Sequence, residues 1–126
     1  MTGLILDAPG QHLFIRSVNE QGIRVGDRVF ARALLISGSE LREDWPPQEF
    51  SSLRAEHLET IFELQPEVVL LGTGQRQRFL PPDMLGVFYR RGVGVEVMTT
   101  EAACRTFNVL VGDGRAAVAA LLPLHT

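Results

Sequence analysis

Apolar and polar positions alternate in short bursts over the first third of the chain and then recur at helical spacing between longer apolar runs. His12-Leu13-Phe14-Ile15, Ile23-Arg24-Val25 and Val29 through Ile36 have the branched, alternating character of strands. Asn19-Glu20-Gln21-Gly22 and Gly26-Asp27 supply turn chemistry between them, so the pattern predicts an antiparallel β-meander. From Gly38 to Phe50 the chain carries Trp45-Pro46-Pro47 among acids, which predicts a connecting loop, because proline removes ladder donors and holds the preceding residue extended.

After Ser51 and Ser52, either of which can cap a helix, Ala55, Leu58, Ile61 and Phe62 fall on one face while Arg54, Glu56, Glu59 and Glu63 point outward. Pro66 stops that helix, and Glu67 to Leu71 follows as a central strand. Pro81-Pro82-Asp83 opens a second helix, with Met84, Leu85 and Phe88 predicted inward and Arg90, Arg91 and Gly92 closing it. Val93 to Met98 is a second strand of the same kind, and the strand-helix-strand order implies right-handed parallel pairing. Thr99 or Thr100 caps a third helix, whose stripe is Ala103, Phe107, Leu110 and Val111. Gly112 and Gly114 end it before the apolar strand Ala116 to Leu122. The predicted architecture is a three-layer α/β single domain over residues 1–126: a central mixed β-sheet with helices packed on it and an added N-terminal β-hairpin layer.

Composition narrows the function classes. The 126 residues are 45% hydrophobic, enough for one core, and the net charge of -3 argues against attraction to nucleic acid. The apolar run Leu4-Ile5-Leu6 is too short for a signal peptide or a membrane span. A lone cysteine, Cys104, allows neither an intramolecular disulfide nor a cysteine-based zinc cluster, so a reducing, cytoplasmic setting is expected.

Candidate chemistry concentrates after the run Val68 to Leu71. There Gly72-Thr73-Gly74 leads to Arg76 and Arg78, at the strand end where open α/β sheets bind ligands. A P-loop needs lysine and a hydroxyl after its last glycine, and the dinucleotide fingerprint needs a third glycine; neither is here. With Thr99, Thr100 and Asn108, these residues define an expected anion cleft, in which the arginines grip a carboxylate or phosphate. The plainer role for the glycines is to let the chain leave a buried strand. Cys104 lies near a helix N-terminus, where a thiol can be activated, yet His12, His57 and His125 are scattered and supply no base and no metal-ligand spacing. No catalytic residue, metal site or cofactor is expected.

The succession Leu71-Gly72-Thr73-Gly74, Pro81-Pro82, Gly94-Val95-Glu96-Val97, Thr99-Thr100-Glu101-Ala102, Thr106-Phe107-Asn108 and Gly114-Arg115 resembles the complex I assembly factor 3 family. That family also takes in a mammalian adipogenesis-associated protein and uncharacterised microbial proteins. The resemblance implies a three-layer α/β domain whose mixed sheet has one antiparallel member. It also implies a non-catalytic role, since the mitochondrial members hold partner proteins while respiratory complex I is built. No Arg- and Ser-rich transit segment precedes the domain, so a bacterial cytoplasmic protein is the expectation. The leading function is an interaction module that uses apolar positions around Trp45-Pro46-Pro47 or Phe79-Leu80. The alternative is a small-molecule or anion-binding protein, enzymatic or not, using the cleft.

Overall fold

A computed structural model describes residues 12–125; Leu4-Ile5-Leu6 lies outside them. Eight strands form two sheets. β1 (Ile15–Asn19), β2 (Gly22–Val25) and β3 (Arg28–Phe30) make an antiparallel three-stranded sheet in chain order. The second sheet contains β4 (Leu34–Ser37), β5 (Leu41–Glu43), β6 (Val68–Gly72), β7 (Gly94–Met98) and β8 (Ala117–Leu121), in the order β5-β4-β8-β6-β7. β8 runs parallel to β6 and β6 parallel to β7, while β4 is antiparallel to both β8 and β5. β4 is therefore the one antiparallel member of the mixed sheet.

The five-stranded sheet is covered on both faces, and alternation along its strands divides the core into two halves. Leu34, Ile36, Leu70, Ala117, Ala119 and Leu121 face helix α3 (Thr100–Gly112) and the three-stranded sheet, against Ala103, Phe107, Val111, Ile15, Ile23 and Phe30. Leu35, Val69, Leu71, Val118 and Ala120 face helices α1 (Ala55–Phe62) and α2 (Pro82–Arg91), against Leu58, Ile61 and Phe88. β8 is buried at every position, as its unbroken apolar run requires for a strand with neighbours on both edges and layers on both faces.

Four local predictions change. The segment Val29 to Ile36 is two strands in different sheets, because the chain leaves the meander at Ala31-Arg32-Ala33 and re-enters as β4. The segment 38–50, read as a loop, holds β5: the Ser37 hydroxyl accepts from Glu40 N–H (3.0 Å) and turns the chain back on β4. Ser51 and Ser52 lie in a single 3-10 turn, and α1 starts after Arg54, whose N–H donates to His57 Nδ1 at 2.9 Å. Leu85, expected inward, is 42% exposed, since Phe88, Met84 and Val87 set the buried face of α2 a quarter-turn away.

Candidate functional site

The C-terminal ends of β6 and β7 lie side by side, with α2 leaving to one face of the sheet and α3 to the other. In doubly wound sheets such a divergence opens a ligand crevice. Here the crevice is filled by the protein's own polar groups. Thr99 caps α3, its hydroxyl accepting from Ala102 N–H at 3.2 Å. The next residue, Thr100, is fully buried; its hydroxyl donates to the Leu122 carbonyl (2.6 Å) and accepts from Gly74 N–H (2.8 Å), while its own N–H donates to the Gly74 carbonyl at 2.9 Å. Thr73, 1% exposed, donates its N–H to the Met98 carbonyl (2.9 Å) and its hydroxyl to the Arg76 carbonyl (2.7 Å). Leu122 N–H donates back to the Gly72 carbonyl at 3.0 Å. One hydroxyl, that of Thr100, thus ties together the ends of β6 and β8 and the start of α3.

The glycines serve this closure. A Cβ on Gly72 would sit 2.8 Å from Thr100 Cα and 2.9 Å from its Oγ1, so only glycine lets α3 begin this close to β6. Gly74 has φ of 100°, a conformation that side chains with a Cβ rarely adopt, and this aims both its N–H and its carbonyl at Thr100. Among the described residues no buried side-chain nitrogen or oxygen lacks a hydrogen-bond partner, so no polar side chain stands free inside to receive a ligand.

Gly72, Thr73, Gly74, Thr99 and Thr100 are therefore brought together, whereas Asn108 is held elsewhere. It lies on the α3 flank that faces β1, accepting from Ile15 N–H at 2.9 Å and donating to the Ile15 carbonyl at 2.8 Å. Its amide imitates a neighbouring strand beside the bulge in β1 and joins the three-stranded sheet to α3. Arg76 and Arg78 point out of the closed crevice and enter none of the ion pairs among the described residues. Arg78 lines a cavity of about 240 Å³ with Glu49, Phe50, Ser51 and His125. An apolar hollow of about 200 Å³, walled by Phe50, Leu53, Pro81 and Met84, continues from it. Phe79, next in the chain to Arg78, is 83% exposed. Of the other apolar positions singled out from the sequence, Trp45 is core, its indole N–H donating to Thr60 Oγ1 at 3.1 Å, and Leu80 is buried.

Cys104 faces the core, and burial pushes its thiol up to about 12, outweighing the opposing pull of Arg105. Among the described residues no three His, Cys, Asp or Glu side chains are grouped to hold a metal, and no helix is long and apolar enough to cross a membrane.

Comparison with known proteins places this geometry in a family. The model of a protein family of unknown function, DUF498/DUF598, matches residues 15–122. A Bos taurus protein named NADH dehydrogenase [ubiquinone] 1 alpha subcomplex assembly factor 3 is 36% identical over 114 residues, covering 88% of this chain and 61% of its own length. This chain thus spans about three-fifths of the curated relative. Among solved structures, a Bordetella parapertussis protein superposes with a TM-score of 0.85 at 35% identity, covering 92% of this chain and 99% of the other. A Bordetella pertussis protein described as an Mth938-like domain gives 0.81 at 29%, covering 96% and 92%. The chain belongs to the DUF498/DUF598 family, and curated relatives from Bos taurus and Homo sapiens carry the complex I assembly factor 3 name that the sequence resemblance pointed to.

Proposed function

We propose that this domain holds a protein partner, as a non-catalytic module of the assembly-factor kind, and that the partner is a subunit of a respiratory complex under construction. The observation that carries this reading is the solvent-facing Phe79, next in the chain to Arg78, which lines a cavity with Glu49, Phe50, Ser51 and His125; neither Arg78 nor Arg76 joins an ion pair among the described residues. A large exposed aromatic flanked by arginines costs solubility without adding to the core, and aromatic and arginine side chains dominate the energetic centres of interfaces. The closed crevice beside it supports the same reading, because the amides and hydroxyls that an anion would need are committed to one another. The names of the relatives supply the kind of partner.

The test is affinity capture from native extract of the source cell with the unmodified domain and with Phe79→Asp, each checked for an unchanged melting temperature. A respiratory-complex subunit that is retained by the first and lost by the second is the expected result. Capture of nothing but the domain itself, or equal capture by both forms, would overturn the proposal.

A further inference from the structure

Among the described residues, the last strand of the five-stranded sheet, β7, has a neighbour on one edge only. In its parallel ladder with β6, Gly94 N–H donates to the Glu67 carbonyl and the Met98 carbonyl accepts from Thr73 N–H, which fixes Gly94, Glu96 and Met98 as the residues turned towards β6. Val95 and Val97 therefore turn their N–H and carbonyl groups outward. Among the described residues one of these four groups has a partner: the Gln77 side-chain amide donates to the Val97 carbonyl at 3.1 Å.

Along this edge Val95 and Val97 turn their side chains to the α2 face of the sheet and Met98 to the α3 face. On the α2 side, Leu85 and Tyr89, one helical turn apart, are 42% and 87% exposed and lie on the flank opposite Arg91, which stacks on Phe62 of α1. On the α3 side, the Thr106 hydroxyl reaches the Met98 sulfur, which sets the C-terminal end of β7 against α3. Glu96 projects on this face, is exposed, and joins no ion pair among the described residues.

We propose that the β7 edge is a strand-addition site that takes one extended segment of another protein, with apolar residues opposite Val95 and Val97 and a basic residue opposite Glu96. Outward backbone donors and acceptors at alternate positions recognise an extended chain, and the side-chain alternation on both faces sets its sequence pattern. A second copy of this chain fits poorly. Pairing two β7 strands about Glu96 sets two carboxylates directly opposite, which is destabilising. Pairing about Val95 needs the Val93 N–H of each copy, which is already held by the Phe88 carbonyl. Gln77 brings the segment that carries Phe79 up to one end of this edge, but the edge is read through the Val95 and Val97 amides and the Phe79 surface through Phe79→Asp, so the two outcomes are distinguishable.

The test uses a nine-residue peptide alternating valine and arginine, the same peptide with glutamate for arginine, and the arginine peptide N-methylated on one edge, each added at up to millimolar concentration while amide exchange is followed by NMR. The arginine peptide should slow exchange at Val95 and Val97 at least ten-fold. The N-methylated peptide should not, and Glu96→Lys should transfer the preference to the glutamate peptide. The proposal fails if the arginine peptide leaves those two amides unchanged, if N-methylation makes no difference, or if protection appears without peptide as protein concentration rises, which would make the occupant a second copy.

Discussion

Thr100 shows how much of this architecture rests on single polar atoms. Thr100→Val keeps the shape but strands the Gly74 N–H and the Leu122 carbonyl, each buried group costing about 1–3 kcal/mol. Thr100→Ser keeps the hydroxyl and should recover most of that stability in chemical denaturation. Gly72→Ala should cost about 1–3 kcal/mol through overpacking, because the new methyl meets the backbone of Thr100, which cannot move without shifting the start of α3. Cys104 makes the contrary point about chemistry. With its thiol raised from 9.0 to about 12, the folded protein keeps a proton that the unfolded chain releases. Cys104 is thus neutral towards stability below pH 9 and subtracts from it as pH rises from 9 to 12. Denaturation of the unmodified protein and of Cys104→Ala across that range should show a difference that is flat below pH 9 and shifts against the cysteine form above it, and a thiol reagent at neutral pH should label only unfolded chains. The exposure of Phe79 was not legible in the sequence, since Phe79-Leu80 reads as an apolar pair and only the fold decides that Leu80 turns in and Phe79 out.

At the level of elements, the helical and parallel-strand half of the chain was legible because each element carries its own signal. Apolar spacing, Pro81-Pro82 at the start of α2, Gly92 at its end and Thr99 ahead of α3 all agree with the final structure. The antiparallel half was less so. β5 is three residues long and owes its existence to β4 beside it, and the split between β3 and β4 is a change of sheet within one apolar run, which local pattern does not encode. Asn108 reads from the sequence as a cleft residue, but its partner lies 93 positions away on β1, a distance no local motif spans. Its removal tests the joint between layers. Asn108→Ala should leave the Ile15 N–H and carbonyl without their partner, lower stability by about 1–3 kcal/mol, and speed amide exchange in β1 more than in β8.

For the molecule as a whole, the fold leads a reader to the ends of the parallel strands and then closes the place where a ligand would enter. The topology is that of a binding fold, with α2 and α3 diverging above β6 and β7. The residues at that point, Gly72, Thr73, Gly74, Thr99 and Thr100, bond to one another and to neighbouring strand and helix ends, which makes them a clasp. What the clasp leaves outside is an exposed aromatic, two arginines that join no ion pair among the described residues and an apolar hollow, features that support the proposed protein-holding role. The clasp and the anion cleft make opposite demands on one atom, the amide hydrogen of Gly74. Exchange of the Gly74 and Thr100 amides, measured by NMR with and without orthophosphate at millimolar concentration, distinguishes them. Slow exchange at both, unchanged by phosphate, is the expected result; fast exchange that phosphate slows would contradict the account and return the strand ends to ligand binding.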